Sequence, residues 1–362
     1  MGNLLLFCAG VERSDYPPGV NLLLNLIDNA ATDHSIGMSS QLIEATGAGT
    51  AILDSGGNAI FNRERAGRTV LCDPDLPLRH KGLLNLTPRH LIAAAKKLKP
   101  TAVIALDNPL QKKRSKTAAM REFRKKLRIN IQWAFETAEL REKHCPDIKL
   151  LVPIQARSLQ HFEIFIEKLE GLRFDGISMP NRNINTGRLI VFLIRLYQLR
   201  IEWVHVLGTL SFTNLAIAAY FARNNYFELV SLDSMTAKRA ALNGKYLSPH
   251  DLSKHFINHQ TEIPSWLKMD CACPFCRNRS FAYIKHLPYP DRHLFLNSHN
   301  FAVIEKVSRE LFENAGSIGQ LAVYMKTKSP KNTKTDELIS SLYLAEQFKD
   351  ENIYALAHLL ET

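Results

Sequence analysis

Three cysteines lie within six residues of one another, in a spacing that suits a metal ion. Cys271, Cys273 and Cys276 form a C-x-C-x₂-C pattern. A turn this tight brings thiolates together, and a soft ion such as Zn²⁺ is the usual way to satisfy them. Three cysteines and one further ligand would leave no open coordination position. The pattern therefore predicts a structural zinc site and not a catalytic one.

The fourth ligand is expected to be a histidine downstream of the knuckle. The candidates are His286, His293 and His299. His299 precedes a predicted helix over 301–315, and a histidine at the start of a helix can turn back onto the cysteines. Spacing alone does not exclude the other two.

Polar residues and glycines that could do chemistry also follow a series of short apolar runs. They are Asp54, Asp107, Gln155, Gly176, Gly208 and Asp233. Each run is continuous and rich in β-branched residues, as expected of strands that are buried on both faces of a parallel sheet. The predicted strands cover 4–9, 50–55, 101–109, 148–155, 174–180, 201–208 and 226–233.

Helical segments with an apolar face separate these strands. The predicted helices cover 87–98, 121–143, 158–172 and 212–224. Strand–helix alternation predicts an α/β fold with a parallel sheet. No GxGxxG follows the first strand and no GxxxxGK[ST] is present, so a (β/α)₈ TIM-type barrel is favoured over a doubly wound nucleotide-binding fold. In such a barrel the carboxyl ends of the strands meet at one mouth, where catalytic residues lie.

Composition narrows the class of protein. The 362 residues are 46% hydrophobic and 22% charged, which is ordinary for a globular chain and excludes collagen-like, coiled-coil and disordered classes. No apolar run is long enough to span a membrane, and the opening MGNLLL lacks the features of a signal peptide. We expect a cytoplasmic protein. The formal net charge of +11 favours a polyanionic partner, most often nucleic acid.

The basic excess is concentrated in one stretch. Residues 112–128 hold nine Lys/Arg and one acid, Glu122. Lys112, Lys113 and Arg114 begin this run just after Asp107, so they are predicted to contact nucleic-acid phosphates. The alternative is a solvated helix face. A second basic stretch over 326–334 is predicted to be a flexible loop, followed by a helical tail over 337–362.

Eight short motifs, in order, resemble those of the queuine/archaeosine tRNA-guanine transglycosylase superfamily. They are LDSGG (53–57), ALDNP (105–109), VPIQ (152–155), FDG (174–176), HVLG (205–208), SLDS (231–234), CACPFC (271–276) and HN (299–300). The resemblance implies a (β/α)₈ barrel with a zinc-binding insert and C-terminal helices. It also implies exchange of guanine in a polynucleotide for a 7-deazaguanine, through a covalent enzyme–nucleic acid intermediate.

Residue roles follow from the same resemblance. Asp233 is similar to the nucleophile that attacks C1′, and Asp54 to the general acid/base that handles the proton of the bases. Asp107 and Gln155 resemble the groups that bind the purine edge, with Ser55 and Gly208 in the substrate pocket. The remaining roles are nucleic-acid binding by Lys238 and Arg239 and zinc binding by Cys271, Cys273, Cys276 and His299.

Two segments depart from the tRNA enzymes of that family. Residues 178–183, SMPNRN, replace a glycine-rich base-contacting loop, and Pro180 there removes an N–H and restricts φ. Residues 234–240, SMTAKRA, keep positive charge after the nucleophile but lose a glycine. Because both segments belong to the base pocket and polynucleotide groove, the resemblance favours the branch that places 7-deazaguanines such as 7-cyano-7-deazaguanine in DNA.

Three alternatives remain. The chain could act on tRNA, could be a non-catalytic nucleic-acid-binding partner subunit, or could be an unrelated barrel hydrolase. Retention of Asp54 and Asp233 counts against the second, and the ordered motifs against the third. A homodimer or accessory subunits are possible partners. The expected domains are a catalytic barrel over 1–262, a zinc-binding subdomain over 263–316 and a helical tail over 317–362.

Overall fold

The fold is described from a computed structural model. It describes residues 2–9, 20–29, 31–47, 49–111, 113, 115–181, 184–208, 210–257, 271–330 and 333–361. Within these ranges no helix combines the length and the apolar character needed to cross a bilayer.

Eight parallel strands form a closed barrel, which confirms the predicted TIM-type α/β fold. Among the strands numbered along the chain, the barrel strands are β1 (Asn3–Ala9), β2 (Asn21–Asn25), β3 (Ala51–Asp54), β7 (Ala102–Ile104), β8 (Lys149–Pro153), β9 (Gly176–Pro180), β10 (Trp203–Leu207) and β11 (Leu229–Ser234). Their order around the barrel is β1-β11-β10-β9-β8-β7-β3-β2. All seven predicted strands are present, and β2 is the eighth.

The helices account for most of the remaining chain. They are α1 (Leu26–Asn29), α2 (Asp33–Thr46), α3 (Gly57–Arg65), α4 (Pro88–Leu98), α5 (Lys116–His144), α6 (Leu159–Lys168), α7 (Thr186–Gln198), α8 (Phe212–Arg223), α9 (Thr236–Leu242), α10 (Phe281–His286), α11 (Tyr289–Asn314), α12 (Ile318–Lys328), α13 (Lys334–Phe348) and α14 (Ile353–Glu361). The start of α4 is the predicted one, because Thr87 caps it and Pro88 occupies its first turn.

Two small sheets complete the secondary structure of the described residues. A three-stranded sheet has the order β4-β6-β5, with β4 at Val70–Leu71, β5 at Arg79–His80 and β6 at Leu83–Asn85. A two-stranded antiparallel hairpin joins β12 (Lys245–Leu247) to β13 (Lys254–Phe256). This hairpin carries the basic residues Lys245 and Lys254.

The chain divides into two compact units. The first unit comprises Met1–Cys8 and Gly208–Glu351, and it holds β11, the hairpin and the cysteine knuckle. The second comprises Ala9–Leu207 and Asn352–Thr362. The domain boundaries expected from the sequence stay a prediction.

Apolar burial explains why the strands form. In β7 the side chains of Ala102, Val103 and Ile104 are at most 1% exposed, so this strand is covered on both faces as its unbroken apolar run predicted. Helix α7 has eight buried residues between Gly187 and Leu196, so it is buried on more than a single face. Burial on this scale within the second unit fixes the strand ends that carry the polar residues.

Two sequence predictions about helices are corrected. The helix expected over 301–315 begins at Tyr289, because Pro288 and Pro290 start it early, so His299 lies inside α11 and not before it. The loop expected over 326–334 is partly helical: Lys326 and Lys328 form the last turn of α12, and residues 331–332 lie outside the described residues. The tail is helical as predicted, in the two segments α13 and α14.

Candidate functional site

The second unit holds Asp54 at the last position of β3. Asn25, its register partner at the end of β2, donates a side-chain N–H to an Asp54 carboxylate oxygen at 2.9 Å. This contact orients the carboxylate. Sequence reasoning missed Asn25, because β2 itself was not predicted.

Ser55 and the two glycines after it shape the turn from β3 into α3. Ser55 is fully buried, and its Oγ has no hydrogen-bond partner among the described residues. Gly56 has φ +89°, a left-handed conformation that favours glycine. A buried hydroxyl without a partner is costly in a folded protein and is common where a ligand supplies the partner.

Asp107 and Gln155 form a buried pair after the neighbouring strands β7 and β8. Each is 6% exposed, and the Gln155 side-chain N–H donates to an Asp107 carboxylate oxygen. The Gln155 Oε1 accepts the backbone N–H of Leu110 at 3.4 Å, which determines which end of the amide faces Asp107. Sequence reasoning predicted both residues, and the structure brings them together.

The surroundings of Asp107 disfavour the charged form of its carboxyl group. Burial, and after it the negative charge of Asp54, raises the pKa of Asp107 from its ordinary 3.8 to about 7. The hydrogen bond from Gln155 and the charge of Lys126 oppose this rise. A perturbed carboxyl of this kind is typical of a ligand-binding or catalytic site.

Gly57 lets the Asp107 side chain occupy its position. A Cβ built on Gly57 would overlap the Asp107 carboxylate. The glycine is therefore required by close approach and not by its φ. The LDSGG motif contains this residue, but no sequence signal indicated that it packs against Asp107.

Helix α5 holds the segment that follows Asp107. The Asn130 side chain accepts the Asn108 backbone N–H at 2.6 Å and donates to the Asn108 carbonyl at 3.3 Å. Lys126 donates to the Pro109 carbonyl at 2.5 Å and to Glu64 at 2.7 Å. These bonds anchor the backbone on which Asp107 sits.

The basic run is therefore not one uniform nucleic-acid-binding face. Lys126 is buried and ion-paired, while Arg121, Arg124, Lys125 and Arg128 are exposed on α5. Lys113 is 39% exposed and lies 3.8 Å from Glu122. Lys112 and Arg114 lie outside the described residues. The phosphate contacts predicted for 112–114 stay a prediction.

The first unit holds Asp233 near the end of β11. Asp233 is 5% exposed, and its Oδ1 accepts the backbone N–H of Gly208 at 3.0 Å. Gly208 has φ +97° and is exposed. The predicted wall residue of the base pocket is thus a direct hydrogen-bond partner of the predicted nucleophile.

A cavity of about 190 Å³ lies beside Gly208. It is lined by Gly208, Thr236, Arg239, Ala240, Asn243, Lys245 and Lys254. Arg239 was predicted to bind nucleic acid, and it lines this cavity. Lys238, predicted with it, is half-buried and is not among the lining residues.

Cys271, Cys273, Cys276 and His299 form a cluster that can hold a metal ion. Their ligand atoms all lie within 4.8 Å of one another. The His299 Nδ1 lies 3.8, 3.5 and 3.2 Å from the three sulfurs in chain order. Hydrogen bonds from Cys273 and then Cys276 hold the pKa of Cys271 well below its usual range. The predicted ligand set is the one that the structure brings together, and His286 and His293 are not in it.

The other nitrogen of His299 explains how the ring is oriented. Its Nε2 lies 3.0 Å from the Leu247 carbonyl, which can only accept, so Nε2 carries the proton and Nδ1 is left for a metal. Tyr246 stacks on the ring at 3.9 Å between centroids, and Phe281 meets Tyr246 edge-on. A buried aromatic layer therefore supports the cluster.

Comparison with known proteins adds no assignment. No protein-family model matches the chain, and no curated protein matches it.

Proposed function

We propose that this chain is a nucleic-acid guanine transglycosylase that exchanges guanine for a 7-deazaguanine, such as 7-cyano-7-deazaguanine, in DNA. The observation that carries the proposal is the buried Asp107–Gln155 pair. Its polar groups complement one edge of a guanine, and Gly57, in the same LDSGG segment as Asp54 and Ser55, packs against the Asp107 carboxylate. The ordered motifs described above supply the reaction class.

Guanine offers two adjacent donors, N1–H and N2–H₂, beside the O6 acceptor. An ionised Asp107 accepts from the two donors, while Gln155 keeps one amide N–H for O6 after donating the other to Asp107. Adenine lacks the N1–H and carries a donor where guanine has O6. The pair therefore selects guanine and 7-deazaguanines over adenine. Ionisation of Asp107, whose pKa is about 7, makes base binding stronger above neutral pH.

The proposed reaction is a double displacement at C1′. The Asp233 carboxylate attacks C1′, the bond from C1′ to guanine N9 breaks, and its electron pair leaves with the base. For this step Asp54 must be in its protonated form, and it passes that proton to the departing guanine. In the second step Asp54 removes a proton from the incoming 7-deazaguanine, whose nitrogen attacks C1′ and releases Asp233. Two displacements retain the anomeric configuration.

The Gly208 amide supports Asp233 in this role. Its N–H donates to Oδ1 and so orients the carboxylate that we assign to the attack on C1′. The target nucleotide must leave its stack to reach a carboxylate that is only 5% exposed, so the reaction requires base flipping.

For the metal cluster we propose a structural Zn²⁺. Tetrahedral zinc with three thiolates and one imidazole places the ligand atoms about 3.5–3.8 Å apart, close to the observed His299 distances of 3.2–3.8 Å. Four protein ligands leave no position for water. The proposed zinc holds the knuckle to α11 and has no catalytic step.

Trapping the covalent intermediate tests the proposal. The chain is incubated with guanine-containing DNA and RNA oligonucleotides of the same sequence, and adducts are measured by denaturing electrophoresis and intact mass. We expect a DNA adduct that wild type forms and Asp233→Asn does not, together with exchange of isotope-labelled guanine into the DNA. An adduct on RNA alone would indicate the tRNA-type reaction. Binding without any adduct or exchange would indicate a non-catalytic subunit and refute the proposal.

A further inference from the structure

The cavity beside Gly208 is strongly cationic. Arg239, Lys245 and Lys254 line it, and its described lining includes no carboxylate. None of the three forms an ion pair with the described residues. Three like charges held around one cavity repel each other, and an anion that enters would relieve this cost.

Helix α9 and the β12–β13 hairpin of the first unit place these charges. Arg239 belongs to α9, whereas Lys245 begins β12 and Lys254 begins β13. The antiparallel register pairs Lys245 with Phe256, and the Lys245 ammonium lies 4.4 Å from the centre of the Phe256 ring. This cation–π contact restrains a lysine that would otherwise be mobile.

The size of the cavity indicates what can enter it. At about 190 Å³ it is smaller than the roughly 300–1,000 Å³ of pockets that enclose whole drug-sized ligands. An anionic group fits better than a whole nucleoside. Arg239 offers a planar fork that suits phosphate oxygens, and the lysines offer point charges.

The position of the cavity connects it with the proposed nucleophile. Gly208 forms part of its wall, and the same residue donates its N–H to Asp233. An anion in the cavity would therefore lie next to the carboxylate that we assign to C1′. In a nucleic acid, the anion adjacent to a nucleoside is its own flanking phosphodiester.

We propose that this cavity binds a backbone phosphodiester adjacent to the target guanosine and so places C1′ against Asp233. The inference rests on the proposed function and extends it with a site in which Lys245 and Lys254 hold the strand. The contact carries no base information, so it acts on DNA and RNA alike. Discrimination between the polymers must come from other residues.

The test measures binding and does not require turnover. The double variant Lys245→Ala/Lys254→Ala is compared with wild type by fluorescence anisotropy, on labelled single-stranded DNA and RNA of one sequence over a salt series. We expect affinity to fall on the order of tenfold for both polymers, and the slope of log K against log[salt] to fall by about 0.7–1. The control Lys96→Ala/Lys143→Ala removes the same charge from two exposed helix-end lysines outside the cavity and should leave both quantities unchanged.

A neutral linkage identifies the phosphate itself. A methylphosphonate on the 5′ or the 3′ side of the guanine removes one backbone charge. At one of these positions the methylphosphonate should weaken wild-type binding by the same factor as the Lys245→Ala/Lys254→Ala substitution. When the methylphosphonate is combined with the double variant, affinity should fall no further than with either change alone. Arg239→Gln is a second variant that should show the same coupling, and thermal melts confirm that each variant is folded.

The outcomes separate this inference from the proposed function. If wild type forms the DNA adduct but the double variant binds like the control, the phosphate site is refuted and the transglycosylase stands. If no adduct forms while the methylphosphonate coupling is present, the reaction is refuted and the phosphate site stands. A wild-type chain that binds neither polymer, or equal losses for both double variants, also overturns the site.

Discussion

The unusual carboxyl of Asp107 makes the stability of the protein depend on pH in a defined direction. Its pKa is raised from 3.8 to about 7, so the folded state prefers the neutral form. The contribution of this group to folding is fully present below about pH 4 and is lost as pH rises through about 7. The total loss is at most roughly 4 kcal/mol, since each pKa unit corresponds to roughly 1.4 kcal/mol.

Asp107→Asn replaces this group by a permanently neutral one of the same shape. The asparagine oxygen still accepts the hydrogen bond from Gln155, and the asparagine does not ionise. The variant therefore keeps its unfolding free energy at high pH, where wild type loses part of it. Relative to wild type, we expect the variant to gain roughly 2–3 kcal/mol of unfolding free energy between pH 5 and pH 8. At the same time it should lose guanine binding, because asparagine replaces one of the two carboxylate oxygens by an NH₂ group, which cannot accept from N1–H or N2–H₂.

Urea unfolding followed by circular dichroism at several pH values between 5 and 8 measures this difference. Asp147→Asn, at an exposed position, is the matched control and should track wild type throughout. Because Asp54 is the second cause of the raised pKa, the gain should shrink in an Asp54→Asn background. A wild-type-to-variant difference that stays constant with pH would refute the electrostatic reasoning.

Three further predictions concern packing, the metal and the buried ion pair. Gly57→Ala places a Cβ on the Asp107 carboxylate and should reduce guanine exchange at least tenfold, measured with labelled guanine, whereas Gly37→Ala, with open space around its Cβ, should not. Cys273→Ser should lower the zinc content measured by elemental mass spectrometry and lower the melting temperature; a stoichiometric zinc content would show that the ligand set is wrong. Lys126→Ala should cost about 1–3 kcal/mol in urea unfolding, because it removes a buried cation that lies close to both Glu64 and Glu122; an unchanged midpoint would make the interaction dispensable.

The sequence was most informative where one local rule decides the outcome. Unbroken apolar runs predicted seven of the eight barrel strands, because a strand that is buried on both faces has apolar residues at successive positions. The missed strand, β2, has the sequence NLLLN. Leucine favours helix at least as well as strand, so neither periodicity nor β-branching marked it. Because β2 was not predicted, Asn25 was not recognised as the partner of Asp54.

The site shows a similar division. The spacing of Cys271, Cys273 and Cys276 left three histidines open as the fourth ligand. His299, the ligand that the resemblance implies, is the one that the structure brings to the cysteines, but its helix was expected to start too late. Asp107 and Gln155 were each predicted to bind the purine, but the hydrogen bond between them was not predicted. Gly57 depends on an approach between segments 50 residues apart along the chain, which no local pattern encodes.

The metal cluster and the cationic cavity share one structural support. His299 bonds the Leu247 carbonyl, and the adjacent Asn300 accepts the Leu247 backbone N–H at 2.8 Å. Asn300 also donates to the carbonyls of Lys245 at 3.0 Å and Ala237 at 3.3 Å. One turn of α11 thus holds both β12 and α9, the elements that carry Lys245 and Arg239. A metal that fixes His299 would fix the cavity as well, so the proposed structural ion would support the proposed phosphate site although it takes part in no proposed bond-breaking step.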